Sequence, residues 1–227
     1  MIRLIIYDLD GTLIDSRRDI AEAVNGTLEE FGLPLLTLDE VSSFVGSGVR
    51  NLMTQALEAC SLLLNKREGA CALPAVDRTI KVFRRLYAEH LLDHTCLYPW
   101  VPGVLERFKD RMQAVVTNKP EDLSRTILKG LGVDRYFCEL VGGDAGFPKK
   151  PVPEPLLEIL RRAAVKPEEA VLVGDSAIDI ETGRNAGVTT FAVTYGFGRR
   201  REIESARPDY ILKDLEELIR CPLLQKV

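Results

Sequence analysis

Residues 1–15 read MIRLIIYDLDGTLID, and the order of polar and apolar residues in that stretch sets the fold. LIIY (4–7) is a short, continuous apolar run, rich in β-branched residues. Such a run suits a parallel strand covered on both faces. It ends in two acids, Asp8 and Asp10, followed by Gly11 and Thr12. In extended backbone, residues two apart share a side, so the two acids point together while Leu9 turns into protein. Carboxylates this close repel unless a cation bridges them or one keeps its proton. Gly11 lets the chain turn tightly and approach a ligand. A calcium-binding EF-hand loop does not fit, because its glycine falls at the sixth position.

Similar apolar runs follow at AVVT (114–117), ELVGG (139–143), AVLVG (170–174) and FAVTY (191–195). From AVVT onward they alternate with helical patterns: LSRTILKGLG (123–132), PLLEILRRAA (155–164) and DIETGRNAG (179–187). Alternating strands and helices with short links predict an α/β fold, a Rossmann-like, doubly wound parallel sheet. The stretch from 15 to 95 breaks the rhythm. Ser16 opens a helical pattern carried by Ile20, Val24, Leu28 and Phe31. Further stripes run through Val49, Leu52, Met53, Ala56 and Leu57, and through Ile80, Phe83, Leu86, Tyr87 and Leu91. The expected organisation is therefore a core of residues 1–14 and 97–227 with an inserted all-helical cap domain, 15–96.

In an open parallel sheet the strand ends gather along one edge, where ligands bind. That edge would hold Asp8 and Asp10, then Thr117, Asn118 and Lys119, then Lys149 or Lys150, then Asp175, Ser176 and Asp179. Clustered carboxylates suit a hard divalent cation, and Mg²⁺ favours one or two of them plus phosphate oxygens. Lysine and hydroxyl donors suit a phosphoryl group.

These motifs, DLDGT (8–12), VTNK (116–119), the lysine of KKP (150) and GDSAID (174–179), resemble the four signatures of the haloacid dehalogenase superfamily of phosphohydrolases, in the subgroup with a helical cap after the first strand. FVGSGVRNLMTQAL (44–57), GGDAGFPKKPVPEPL (142–156) and TYGFG (194–198) are similar to the phosphoglycolate phosphatase group within it. Val152 departs from the histidine that often follows KKP, and residues 60–78 find no match. The resemblance implies a Mg²⁺-dependent phosphatase with Asp8 as nucleophile and Asp10 as general acid and base. It implies a metal held by Asp8, the Asp10 carbonyl and Asp175. Lys150, Thr117 and Asn118 would face the phosphoryl group, Gly11 and Thr12 would lie against the substrate, and Asp179 and Ser176 would support the site. A carboxyl crowded by other carboxylates, with a raised pKa, suits the two-way proton traffic asked of Asp10. Gly46 and Arg50 in the helical block are candidates to meet a substrate carboxylate. A phosphosugar mutase of the β-phosphoglucomutase kind, a pyrophosphatase and a phospho-accepting signalling module are the alternatives.

The formal net charge of −4 gives no footprint for nucleic acid or for an anionic membrane. Five cysteines without a C-x-x-C pair fit a reducing, cytoplasmic setting. The expected partner is a small phosphorylated metabolite, with monomer and homodimer both open. His90 and His94 read as an exposed pair at a helix end, and Arg199–Arg201 as a surface loop followed by acids.

Overall fold

The computed structural model describes residues 1–65 and 73–225. Cys71 and part of the unmatched 60–78 segment lie outside the described residues. The chain divides into two compact units, Met1–Asp15 with Cys96–Val227, and Ser16–Thr95.

The first unit is built on strands β1 (Leu4–Tyr7), β2 (Ile14–Asp15), β3 (Cys96–Leu97), β4 (Met112–Val116), β5 (Glu139–Val141), β6 (Ala170–Gly174), β7 (Thr189–Val193) and β8 (Tyr210–Leu212). Six of them form one sheet in the order β5-β4-β1-β6-β7-β8, and every pairing is parallel. β1 lies between β4 and β6, where the direction of winding reverses, so its carboxyl end opens at the topological switch point. β1 is continuous in apolar character because both its faces are buried. Leu4 and Ile6 pack with Val116, Leu156, Ile159 and Leu172. On the other face the Tyr7 hydroxyl meets Gln113 Oε1 at 3.2 Å. Truncating such a side chain to alanine costs about 2–5 kcal/mol.

β2 and β3 form a separate antiparallel pair that joins Ile14 to Leu97 and Asp15 to Cys96. The helices that matter for the site are Glu121–Gly130 after β4, Glu154–Ala163 after β5 and Ala177–Ala186 after β6. The last ends at Gly187 in the left-handed conformation.

The second unit is helical, with α1 (Arg17–Glu30), α2 (Leu38–Ser42), α3 (Val49–Asn65) and α4 (Val76–Glu89). Ile20, Val24, Leu28, Leu52, Met53, Ala56, Leu57, Phe83 and Tyr87 are buried, as their spacing predicts. One expectation needs correction. Ser16 stands at the N-cap of α1, but its side chain makes no capping hydrogen bond. Instead the unit's two chain ends are clasped by Asp19. Its Oδ2 accepts from the Thr95 backbone N–H at 2.7 Å and from Thr95 Oγ1 at 2.6 Å, and Oδ1 accepts from His94 N–H at 2.9 Å. Among the described residues no helix is long and apolar enough to cross a membrane.

Candidate active site

Asp8 continues β1 by donating its N–H to Val173 O, which fixes its side chain at the sheet's carboxyl edge. The Asp8 carboxylate, 11 % exposed, accepts from Lys150 Nζ at 2.6 Å through Oδ1. The same ammonium reaches Asp179 Oδ1 at 2.6 Å and Val116 O at 3.1 Å. Three donors therefore meet three acceptors. Asn118 sets this lysine in place: its Oδ1 accepts from Lys150 N–H at 2.9 Å, and its Nδ2 donates to Lys150 O at 3.2 Å. Lys149 is only half-buried, and it is Lys150, next to the proline, whose ammonium lies among the carboxylates.

Asp175 ends β6. Its Oδ2 accepts from Phe197 N–H at 2.6 Å and Gly198 N–H at 3.2 Å, and Oδ1 from Thr12 Oγ1 at 3.3 Å. Gly11, at φ +89°, and Gly196 both press against this carboxylate, and a Cβ at either would overlap Asp175 Oδ2. Ser176 is the N-cap of the following helix and forms a reciprocal capping box with Asp179. Asp179 Oδ2 accepts from Ser176 N–H at 3.1 Å and Ser176 Oγ at 2.6 Å, so both oxygens of Asp179 are committed.

The electrostatics follow from burial. Desolvation pushes the Asp8 carboxyl well above its usual range; Lys150 opposes that rise, and the charges of Asp179 and Asp175 add to it. Desolvation, then the charge of Asp179, pushes Asp175 up to about 7, against the two backbone N–H donors. Burial disfavours the Lys150 ammonium, but the Asp179 and Asp8 carboxylates outweigh it and hold its pKa above the ordinary lysine range.

A model of the family described as haloacid dehalogenase-like hydrolase matches residues 5–193. The chain belongs to the haloacid dehalogenase-like hydrolases. Among the relatives of this hydrolase, a phosphoglycolate phosphatase of Aquifex aeolicus is 38% identical over 96% of this chain and 95% of its own. One of Vibrio parahaemolyticus is 36% identical over 96% of this chain and 95% of its own. The crystal structure of a predicted phosphoglycolate phosphatase from Haemophilus somnus superposes with a TM-score of 0.89 at 31% identity, covering 96% of this chain and 97% of that one.

Within the hydrolase fold, Asp8, Asp175 and Asp179 each bring one oxygen within 4.8 Å of the others. Fully ionised, three carboxylates and one ammonium leave a formal charge of −2 in a buried space. A divalent cation matches that charge, and hard carboxylate oxygens match a hard ion. Asp8, Asp175 and Asp179 are the carboxylates that could hold such an ion, and Asp179 is the one of them gripped by both Lys150 and Ser176. The Asp10 carboxylate stands outside this cluster. The crowding that the sequence suggests for Asp10 falls on Asp8 and Asp175 instead, because Asp10 is paired with Lys119, whose Nζ lies 2.9 and 3.1 Å from its two oxygens. Thr117 is buried and its Oγ1 accepts from Lys119 N–H at 3.2 Å, a bond that leaves the hydroxyl its own proton to donate.

Gly46 and Arg50 belong to the helical unit. Gly46 adopts φ +113°, and Arg50 is exposed and ion-paired with Asp77 across to α4. His90 accepts or donates at 2.7 Å to Asp93, and the His94 ring lies 3.7 Å from Glu22. Asp19, Glu22 and His94 are close enough to hold an ion, yet the Asp19 carboxylate already serves three donors on His94 and Thr95. Arg199–Arg201 are not the surface loop expected: Arg199 is the N-cap and Arg200 and Arg201 the first turn of a short helix, Arg200–Ala206, and Arg199 and Arg200 pair with Glu202 and Glu204.

Three residues that shape the site carry no role in the reading by motif. Lys119 closes VTNK, but the motif gives it no partner. Gly196 and Phe197 lie in a loop whose match to TYGFG carries no stated role, although they shape the Asp175 carboxylate. A glycine directly after the apolar run FAVTY (191–195) is the one signal available for them.

Proposed function

We propose that this hydrolase is a Mg²⁺-dependent phosphatase acting on a small phosphorylated metabolite, with 2-phosphoglycolate as the foremost substrate. The observation that carries the reading is the buried Lys150 ammonium held between Asp8 and Asp179 beside Asp175. A carboxylate so placed is neutralised enough for a phosphate dianion to approach, yet is not buried beyond attack. The relatives named phosphoglycolate phosphatase support the choice of substrate.

In this reading an Asp8 oxygen attacks phosphorus in line. The bond from phosphorus to the leaving oxygen breaks, and Asp10 gives that oxygen its proton. An aspartyl-phosphate on Asp8 results, so one hard step becomes two easier ones. Asp10 then removes a proton from water, which attacks the same phosphorus and releases phosphate and free Asp8. Positioned acid–base help of this kind is worth about 10²–10⁴-fold. The positive charge of Lys150 offsets the negative charge gathering on Asp8 and the phosphoryl oxygens. The Thr117 hydroxyl donates to that group, and Asn118 keeps Lys150 in register. Asp8 and Asp175, with the Asp10 carbonyl, would hold Mg²⁺, which when bound screens the phosphate charge and orients it. The free cysteines 60, 96, 138 and 221 fit the reducing cytoplasm. The test is phosphate release by the purified protein from a panel of small phosphomonoesters, with and without Mg²⁺. Metal-dependent release that is greatest for 2-phosphoglycolate supports the reading; a demand for a sugar bisphosphate activator, with little free phosphate, would assign a mutase.

A further inference from the structure

We propose that Lys119 reads the leaving group: its ammonium recognises a carboxylate carried one carbon from the ester oxygen, which selects phosphate esters of short 2-hydroxy acids. The inference rests on the phosphatase reading of the same site and deepens it.

Four observations lead there. Lys150 cannot serve a second anion, because its three protons already meet Asp8, Asp179 and Val116 O. Lys119 is a different cation at the same strand edge, 7% exposed as a residue, with Nζ 2.9 and 3.1 Å from the two oxygens of Asp10. Its backbone is fixed: N–H donates to Thr117 Oγ1 at 3.2 Å, and its O accepts from Gly143 N–H at 2.8 Å. Stability is a poor reason to bury such a pair, since apolar residues of like volume serve as well or better.

Asp10 is the group that passes a proton to the ester oxygen. An ammonium touching Asp10 therefore stands on the leaving-group side of phosphorus. In the ester of a 2-hydroxy acid, the carboxyl carbon is two covalent bonds from that same oxygen. A carboxylate there falls beside the ammonium that grips Asp10. Lysine suits the task, because a compact charge with rotatable donors can be shared between two carboxylates.

The test is a cycle between protein and substrate charge. The wild type and Lys119→Met are each assayed on 2-phosphoglycolate and on ethyl phosphate, which replaces the carboxylate with a methyl group. The quantity read is the ratio of kcat/KM for the two esters. It is independent of the fraction of a preparation that is folded. Charge-assisted contacts of this kind predict that the wild-type preference falls roughly 10–100-fold in Lys119→Met, chiefly through KM, with Lys119→Arg keeping most of it. An unchanged ratio in Lys119→Met overturns the inference; if that variant is insoluble, Lys119→Gln gives the same reading. A wild type that hydrolyses both esters without preference also overturns it while leaving the phosphatase reading intact. A wild type that hydrolyses neither removes the phosphatase reading and this inference with it.

Discussion

Lys150 Nζ lies 2.6 Å from Asp8 Oδ1, although 142 residues separate the two in sequence. The contact joins the end of β1 to the loop before the helix Glu154–Ala163, and it holds a buried carboxylate in reach of a ligand beside a compensating charge. Removing one partner of such a pair costs about 3–5 kcal/mol, since the other charge stays buried. Lys150→Met should therefore be destabilised by that order in metal-free buffer and should lose at least about 100-fold in kcat/KM. Adding Asp179→Asn should recover part of the stability but not the activity. Denaturant titration of the single and double variants checks this; a double variant less stable than the single one would contradict it.

Asp10→Asn should keep the Asp8 nucleophile and lose the acid and base. Turnover should fall about 10²–10⁴-fold, and the second step should suffer most for substrates with good leaving groups. Acid-quenched Asp10→Asn, incubated with p-nitrophenyl phosphate and Mg²⁺, should then carry a phosphoryl group on the peptide containing Asp8. Mass spectrometry reads the outcome, and an unmodified peptide together with fast turnover would remove Asp10 from its role.

Stability should depend on pH in a direction set by burial. Desolvation raises Asp175 from 3.8 to about 7, and raises Asp8 as well. Between those pH values the native state binds more protons than the unfolded state. Metal-free protein should thus lose stability as pH rises from about 4 through 7, the loss being complete above the folded pKa. Mg²⁺ needs the deprotonated acids, so its affinity should rise over the same interval and its stabilising effect should grow with pH. Thermal melts with and without Mg²⁺ across that range test both slopes. Metal-free stability that rises with pH there would be the contrary result.

Asp19→Ala tests the clasp of the helical unit. The change leaves the N–H groups of His94 and Thr95 and the Thr95 hydroxyl without their acceptor. Each stranded buried donor costs about 1–3 kcal/mol, so a loss on the order of 3 kcal/mol is expected in a denaturant melt. A loss below about 0.5 kcal/mol, the scale of an ordinary surface change, would show that the clasp does not hold the chain ends.

Gly196→Ala should cost activity through Asp175. The added Cβ meets Asp175 and the Gly11 carbonyl, and backbone cannot yield as a flexible side chain does. The Mg²⁺ concentration for half-maximal activity should rise at least about tenfold, the usual order for a disturbed ligand support. An unaltered Mg²⁺ requirement would remove this glycine from the site.

The legible and illegible parts of the chain differ for physical reasons. LIIY, AVVT and AVLVG read directly as strands because strands buried on both faces need unbroken apolar runs, and acids at their ends have no structural use in a core. β8, by contrast, is a three-residue edge strand with Tyr210 and Ile211 exposed, so its sequence carries little pattern. β2 and β3 are two residues each and exist through their pairing. α2 did carry a signal, the Thr37–Glu40 capping box, in a helix too short for periodicity. The strand-end motifs placed Asp8, Lys150, Asp175 and Asp179 on one edge. The Asp10–Lys119 pair and the Asn118 grip on Lys150 were beyond them, because those contacts join residues 109 and 32 apart in sequence. Spacing predicts shared faces, but a pair formed across the sheet depends on how the strands are ordered.

The most direct measurement is phosphate release from 2-phosphoglycolate by Asp8→Ala beside the wild type, at saturating Mg²⁺ and with both proteins shown to be folded by circular dichroism. The account predicts that the wild type turns over and that Asp8→Ala falls to the level of buffer, since no other side chain takes over the covalent step. Release by Asp8→Ala within tenfold of the wild-type rate would contradict it.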